Sequence, residues 1–407
     1  MARKLAYVEG MRGAAALVVC VTHFLKIFLP AVYDGDQGVK SWGLGERAFA
    51  TSPFNVLLNP HFAVCLFFVL SGYVLSRGLL GEGNRARIGR AALKRFPRLM
   101  LPVLASVLFA WTVLDAGGFH YGAVRELTGA GMPDGYAAPR SFLSALFEGS
   151  LGTFMVWETP VDGNEPLNPV LWSIGLELYG SLLVFLILAG FRRRWLGYAA
   201  AALAFYNTYY LAFPIGMALA ELPSSARGRK GLALGTAIIG FALGSFPYYG
   251  EREGFWRWLP TPPGAIPIIF HHTLGAGCLL AAVLLAPDLV REWFDRPIWR
   301  FLGRISYGLY LTHFTVLVAL PTWLVLHWSP SLGYLSAVTL VFAATLPVQL
   351  ILAYGFARVI DEPATRFAGQ FATRALAGLT ILQHGWSRPA PESGALDKAD
   401  KISSSIM

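Results

Sequence analysis

The chain has 407 residues, of which 55% are hydrophobic and only 14% are charged. Soluble domains usually carry about 25% charged residues, so this composition excludes an ordinary soluble globular protein. The net charge of +9 does not indicate a nucleic-acid partner, because the basic residues collect in alternate loops between apolar runs.

Apolar runs of helix-spanning length recur along the chain. They predict an all-α, polytopic transmembrane bundle of about ten spans. In chain order the predicted spans cover 7–29, 61–80, 99–116, 169–191, 195–207, 208–221, 231–247, 264–286, 301–326 and 334–358. The fifth and sixth spans are short and together are typical of a tight helical hairpin. The segment 117–168 is predicted to pack over the mouth of the bundle.

The basic residues also predict how the chain is oriented. Of the 33 Lys and Arg residues, 26 lie in segments on one side of the predicted spans, six lie on the other side, and Lys26 lies inside the first span. By the positive-inside rule both termini are predicted to be cytoplasmic. Residues 1–375 are predicted to form the membrane-embedded domain. Residues 376–407 are polar and are predicted to be a disordered cytoplasmic tail.

The first span carries two polar residues in a suggestive register. Arg12 and His23 are eleven residues apart, which is three helical turns plus about 20°, so both side chains face the same way about 16 Å apart. A deep neutral histidine is suited to general-base catalysis, and an arginine at the helix end is suited to binding phosphate. The alternatives are that Arg12 only anchors the topology of the helix and that His23 is a structural histidine in the core. Acyl-coenzyme A, with phosphates at one end and a thioester at the other, fits this spacing.

The loop after the second span is basic and leads into the third span through Arg95 and Arg98. These arginines are predicted to bind a nucleotide phosphate or anionic lipid, with simple anchoring of the topology as the alternative.

Two later spans each carry a polar stripe. Ser173 and Glu177 share a face of the fourth span. Glu177 is expected to orient His23, to bind a substrate hydroxyl, or to form a structural hydrogen bond. Ser306, Tyr310 and His313 form one stripe on the ninth span, and Tyr310 and His313 are expected to line the same cavity as His23.

The remaining histidines and the cysteines suggest no site. His271 and His272 show no partner pattern, and no role is predicted for the four histidines at span edges or in loops, which are His61, His120, His327 and His384. Cys20, Cys65 and Cys278 lie far apart in apolar runs and are typical of small buried residues. No metal site is predicted.

Five blocks of the sequence resemble the signatures of the acyltransferase-3 family of membrane proteins. They are Glu9-Gly10-Met11-Arg12-Gly13 with Thr22-His23-Phe24, Phe67 to Tyr73, Arg95-x-x-Arg98, Leu171-Trp172-Ser173 with Glu177, and Leu302 to Tyr307 through His313 with Asp361-Glu362-Pro363. Members of that family move acyl groups, commonly acetyl, from acyl-coenzyme A to hydroxyls of sugars, lipids or small natural products. The resemblance implies a catalytic role for His23 and donor contacts for Arg12, Arg95 and Arg98.

The sequence therefore predicts a membrane-bound O-acyltransferase that uses acyl-coenzyme A as a co-substrate and holds no bound cofactor or metal. His23 and Glu177 are the predicted catalytic residues. Trp172, Ser173, Tyr310 and His313 are the predicted substrate contacts. The predicted partners are the bilayer, the acyl donor and a hydroxylated acceptor, with no nucleic acid. The sequence is compatible with direct transfer and with an acyl-histidine intermediate. The alternative functions are a transporter of a small polar or anionic solute and a catalytically silent lipid-binding scaffold.

Overall fold

The computed structural model describes residues 5–34, 38–80, 85–131, 138–155, 166–247 and 254–386, with side chains up to residue 378. All regular elements in these ranges are helical. The main helices are α1 (Ala6–Phe28), α2 (Pro60–Leu79), α3 (Arg85–Asp115), α4 (Trp172–Gly190), α5 (Arg194–Ala204), α6 (Ala212–Ala220), α7 (Lys230–Gly244), α8 (Pro267–Leu285), α9 (Pro297–Leu332), α10 (Tyr334–Phe356) and α11 (Glu362–Trp386). The predicted all-α fold is confirmed.

Seven helical stretches among the described residues are long and apolar enough to cross a membrane. They are Ala6–Phe28, Pro60–Leu79, Arg85–Asp115, Pro169–Gly190, Pro267–Leu285, Pro297–Leu332 and Tyr334–Gly378. The protein is therefore a multi-pass membrane protein. The predicted fifth, sixth and seventh spans correspond to α5, α6 and α7, which have 11, 9 and 15 residues. These helices are shorter than the roughly 20 residues that a span requires, so the count of ten spans stays a prediction.

Several boundaries differ from the predicted ones. Helix α3 begins at Arg85 instead of residue 99, because the basic segment continues the helix although its charges lower the hydropathy. Helix α11 extends to Trp386, so the predicted tail begins inside a helix. The rest of the predicted tail, 387–407, lies outside the described residues.

Close packing of α1 against α9 fixes the position of His23. A Cβ atom built on Gly13 would lie 2.5 Å from the backbone nitrogen of Gly303, and one built on Gly303 would lie 2.2 Å from the carbonyl oxygen of Glu9. Only glycine permits such an approach of two helix backbones, and contacts of this kind are common between membrane helices. The side chains farther along α1 and α9 are consequently brought together.

Helix α2 begins at a defined point. The Asn59 side chain accepts a hydrogen bond from the backbone N–H of Phe62, and Pro60 occupies the first helical position. Both features are typical of helix N-termini. They place His61 in the first turn of α2, at the end of the bundle where α4 also begins.

The described parts of the segment 117–168 pack on the bundle as predicted. A short helix, Tyr121–Thr128, lies against α1 and α9, and the backbone N–H of His120 donates to Val318 of α9. The Asn168 side chain donates to the carbonyl of Leu311 at 2.8 Å. Residues 132–137 and 156–165 lie outside the described residues.

Candidate active site

A cavity of about 190 Å³ opens among α1, α2, α3, α4 and α9, and we call it the arginine cavity. Its polar lining consists of Arg12, Ser71, Arg95, Arg98, Ser173, Glu177, Ser306, Tyr307 and Tyr310. The three arginines that were predicted to contact the donor thus line one cavity.

Arg95 and Arg98 each form an ion pair in this cavity. Arg95 pairs with Glu177, which also accepts a hydrogen bond from Ser71 at 2.6 Å. Arg98 pairs with Asp361, and its guanidinium lies 5.4 Å from the ring centroid of Tyr307. The sequence did not predict these two pairings, in which a carboxylate already contacts each guanidinium.

Two arginines retain N–H groups that can donate hydrogen bonds to an anion. Among the described residues, the Nε atom of Arg95 is buried and has no hydrogen-bond acceptor. Arg12 is about one-third exposed, and its ion-pair partner within the described part of the chain is Glu9, one turn earlier at 3.5 Å. Buried donors without acceptors are costly, so a ligand anion would stabilise this arrangement.

A second cavity of about 370 Å³, the histidine cavity, lies next along the bundle. Its polar and aromatic lining consists of His23, Lys26, Tyr33, His61, Trp172, Tyr209 and Tyr310. A smaller lobe of about 130 Å³ adjoins it and shares His23, Lys26 and Trp172.

The two cavities are stacked along the helix axes. On α2, His61 lines the histidine cavity and Ser71 lines the arginine cavity. In the segment that leads into α4, Pro169 lines the histidine cavity, whereas Glu177 two turns later lines the arginine cavity. Tyr310 lines both cavities, so it lies at their junction.

The hydroxyl of Tyr310 is held between two helices at this junction. It donates to the carbonyl of Val170 at 2.7 Å and lies 2.7 Å from the hydroxyl oxygen of Ser173. Because the Tyr310 proton goes to the carbonyl, Ser173 is the donor to Tyr310. The structure therefore brings these two predicted substrate contacts together, but as partners of each other.

His23 and His313 form a direct pair, and their contacts fix the tautomers. His313 Nδ1 lies 3.0 Å and 2.9 Å from the carbonyl oxygens of Leu309 and Tyr310, so it carries the proton and leaves Nε2 as an acceptor. His23 Nδ1 faces that acceptor at 3.1 Å and the carbonyl of Val19 at 2.9 Å. His23 must therefore carry its proton on Nδ1, which leaves the lone pair on Nε2.

The expected contact between Glu177 and His23 is not formed. Glu177 bonds to Arg95 and Ser71 in the arginine cavity, whereas His23 bonds to Val19 and His313. His313 orients His23 instead, because the glycine contact between α1 and α9 places these two rings together.

A buried ion pair outside the spans holds the segment that lines the histidine cavity. Glu148 accepts from Arg140 at 2.9 Å and from the backbone N–H of Leu167 at 2.9 Å. Burial raises the pKa of Glu148 to about 6, although Arg140 and the N–H groups of Leu167 and Asn168 oppose the increase. Pro166, next to this anchor, lines the cavity.

Sequence reasoning missed one cluster in the histidine cavity. His61, for which no role was predicted, contacts both His272 and Tyr209 at 2.7 Å. The only local signal was the presence of His61 and His272 within apolar runs, since their partners lie more than a hundred residues away.

Comparisons with known proteins agree with these observations. The acyltransferase-3 family model, described as an acyltransferase domain, matches residues 5–354. The chain is similar to acyltransferase clz18 of Cochliobolus lunatus, with 24% identity over 89% of this chain and 94% of that protein. It is similar to acyltransferase R4 of a Phoma species, with 23% identity over 89% of this chain and 94% of that protein. It is also similar to O-acetyltransferase PaAT-1 of Phomopsis amygdali, with 22% identity over 77% of this chain and 72% of that protein. No solved structure matches the chain.

Proposed function

This chain belongs to the acyltransferase-3 family, and we propose that it moves an acetyl group from acetyl-coenzyme A to a hydroxyl of a sugar, lipid or small natural product. The observation that carries the proposal is the tautomer of His23. Its Nδ1–H is held by Val19 and His313, and its Nε2 lone pair is therefore available to take a proton. Similarity to the O-acetyltransferase of Phomopsis amygdali supports acetyl as the group transferred.

The two stacked cavities supply separate places for the two substrates. The phosphates of the donor bind in the arginine cavity near Arg12, Arg95 and Arg98, with the pantetheine arm directed toward Tyr310. The acceptor occupies the histidine cavity beside His23. The thioester and the hydroxyl meet near Tyr310, where the cavities adjoin.

Each step of the transfer can be assigned to an atom. His23 Nε2 takes the proton of the acceptor hydroxyl as the oxygen attacks the thioester carbonyl. The resulting imidazolium donates its Nδ1–H to His313 Nε2, which stabilises the charge. The tetrahedral intermediate then expels the thiolate, and His23 returns the proton to it, so that coenzyme A and the ester are the products.

Release of coenzyme A tests the proposal. The protein is purified in detergent and incubated with acetyl-, butyryl- or palmitoyl-coenzyme A and a panel of alcohols, sugars and phenols, and free thiol is measured. Acceptor-dependent release that is lost in His23→Ala is the expected result. If no donor and acceptor pair releases more thiol than His23→Ala, the proposal fails. The transporter alternative has no specific observation in its favour.

The orientation of the protein is part of the proposal, because the donor is expected to enter from the cytoplasm. The charge asymmetry predicts that residue 126 and residue 395 lie on opposite sides of the membrane, with 395 cytoplasmic. Single cysteines at these positions are labelled in sealed vesicles of known orientation with an impermeant maleimide. Labelling of both from the same side would contradict the proposed orientation.

A further inference from the structure

A second pair of histidines lies beside the histidine cavity. His61 Nδ1 and His272 Nδ1 are 2.7 Å apart, and both residues are buried. His61 Nε2 lies 2.7 Å from the hydroxyl of Tyr209. His272 Nε2 lies 2.8 Å from the carbonyl oxygen of Phe246. His61 and Tyr209 line the same cavity as His23, but the proposed transfer uses neither.

The acceptor at one end of this series of hydrogen bonds indicates where the protons lie. A carbonyl oxygen can only accept, so the bond to Phe246 places the His272 proton on Nε2 and leaves Nδ1 as an acceptor. Burial favours neutral rings, and His61 then donates from Nδ1 to His272 and accepts at Nε2. The hydroxyl of Tyr209 must therefore donate to His61.

Two longer contacts do not change this assignment. Cys65 Sγ lies 3.9 Å from His61 Nδ1, a much weaker contact than the 2.7 Å between the two Nδ1 atoms. The amide nitrogen of Asn59 lies 3.4 Å from His272 Nε2. The Asn59 side-chain oxygen accepts from the backbone N–H of Phe62 at 2.9 Å, so the amide orientation is fixed and its nitrogen is a donor. The contact of 2.8 Å between His272 Nε2 and the carbonyl of Phe246 is much shorter and decides where the proton lies.

The same distances do not fit a metal site. Two nitrogen ligands of a tetrahedral zinc ion at 2.0–2.1 Å would be about 3.3 Å apart. The 2.7 Å between the two Nδ1 atoms is a hydrogen-bond distance instead.

We infer that Tyr209 presents its oxygen as a hydrogen-bond acceptor to the substrate, and that the acyl acceptor therefore carries a second O–H or N–H group beyond the hydroxyl that is acylated. The inference rests on the proposed function, because the reacting hydroxyl gives its proton to His23 and so cannot also donate to Tyr209. The relay through His61 and His272 keeps the Tyr209 proton turned away from the substrate.

The aromatic wall of the cavity narrows the substrate class. The ring of Trp172 lies 5.1 Å from the ring of Tyr209, and both line the histidine cavity beside Tyr310. Flat rings favour contact with other aromatic groups. The substrate class that fits is a diol, polyol or aminoalcohol on an aromatic or alicyclic framework.

A pair of probes tests the inference without any acyl donor. para-Benzenedimethanol has a second hydroxyl that can donate, whereas its monomethyl ether can only accept at that position. Affinity for each is measured by tryptophan fluorescence titration of the protein in nanodiscs and corrected for the symmetry of the diol. The wild type is expected to bind the diol roughly tenfold more tightly than the ether. Equal affinity, or no measurable binding of either probe, would overturn the inference.

Variants at Tyr209 and at a matched tyrosine test whether the preference for the diol depends on the Tyr209 hydroxyl. Tyr209→Phe is expected to bind both probes equally. Tyr206→Phe, which also loses one hydrogen bond, from Tyr206 to the carbonyl of Pro263 at 2.8 Å, is expected to keep the tenfold ratio. If the ratio of diol affinity to ether affinity is the same in Tyr209→Phe as in the wild type, Tyr209 does not bind the second hydroxyl.

Two substitutions at His272 test the relay itself. The side-chain oxygen of Asn in His272→Asn can still accept from His61, so the preference for the diol should persist. In His272→Leu the acceptor is lost, and His61 can move its proton to Nε2 and donate to Tyr209. Tyr209 then donates into the cavity, and the preference is expected to shift toward the ether. An unchanged preference in a folded His272→Leu variant would overturn the relay.

The outcome is separable from that of the proposed function. Absence of thiol release with every donor would refute the transferase chemistry, whereas the ratio between diol and ether depends only on binding in the histidine cavity.

Discussion

The arginine cavity and the histidine cavity are built from opposite kinds of chemistry. The arginine cavity is lined by full charges, with Arg95 and Arg98 each paired to a carboxylate. The histidine cavity is lined mainly by aromatic and imidazole rings, in which His23 contacts the carbonyl of Val19 and the ring of His313, and His61 contacts the hydroxyl of Tyr209. Charged pairs suit the binding of an ionic ligand, while a neutral network with fixed tautomers suits proton transfer. The difference predicts that substitutions in one cavity alter donor binding and those in the other alter turnover.

His23→Ala should produce the largest effect. A positioned general base contributes about 10²–10⁴-fold to rate, so kcat should fall by that factor while the KM for acyl-coenzyme A stays within roughly twofold. Steady-state kinetics of the detergent-purified variant measure both. His327→Ala, which removes an exposed histidine, is the control and should behave as the wild type. Near-normal kcat in a well-expressed His23→Ala protein would remove His23 from the mechanism.

Arg95→Ala and Arg98→Ala should act on donor binding instead. Loss of a charge-assisted hydrogen bond costs roughly 1.5–3 kcal/mol, which corresponds to about a 10- to 100-fold higher KM for acyl-coenzyme A. The matched control is Arg300→Ala, because Arg300 is half exposed and pairs with Asp295 at 3.5 Å.

A truncated donor separates charge recognition from structural damage. Both arginine variants leave a carboxylate without its partner, so some general loss of activity is expected. With an N-acetylcysteamine thioester, which lacks the phosphates, the variants and the wild type should have similar KM values. An equal increase of KM for both donors would indicate a purely structural role.

Glu177→Gln provides the sharpest test of the division between the cavities. If the donor phosphates bind at Arg95 as proposed, they compete with the carboxylate of Glu177, so its neutralisation should lower the KM for acyl-coenzyme A roughly threefold to tenfold. Because Glu177 does not contact His23, kcat should stay within roughly twofold. A fall in kcat of a hundredfold or more would restore the catalytic role that the sequence predicts for Glu177.

The smallest effect concerns stability and comes from the anchor at Glu148. Its pKa is raised from 4.5 to about 6, so its contribution to stability is fully present below pH 4.5 and is lost as the pH rises through 6. The loss is about 2 kcal/mol, or a few degrees in the midpoint of thermal unfolding. Thermal scans from pH 4 to pH 8 should show this decrease in the wild type, and Glu148→Gln should show a flatter profile. A parallel profile in the variant would assign the pH dependence to other groups.

The sequence predicted what depends on local periodicity. The stripe of Ser306, Tyr310 and His313 and the register of Arg12 with His23 follow from the helical repeat. Arg12, His23, Ser306 and Tyr310 line the cavities. His313 was expected to line the same cavity as His23, but it lines neither cavity and contacts the His23 ring instead. Helical periodicity identifies which residues share a face. It does not identify which residue of another helix lies opposite that face.

The pairings between distant segments were therefore beyond prediction. Contact with His23 was one of the three roles expected for Glu177, but the packing of α3 against α4 pairs Glu177 with Arg95 instead. The contact of His61 with Tyr209 depends on where the short segment between α5 and α6 turns, which no hydrophobic pattern specifies. Neither tautomer assignment was accessible without the backbone carbonyls that Val19 and Phe246 provide.

Tyr310 lies where the two cavities adjoin and holds Ser173 and Val170 across that junction. If the donor and the acceptor bind in separate cavities, as proposed, each product leaves from the cavity in which its own substrate was bound. Free coenzyme A should then inhibit competitively against the thioester but not against the alcohol, and the ester should compete with the alcohol alone. Inhibition by each product is then expected to depend on the level of the substrate that binds in the same cavity.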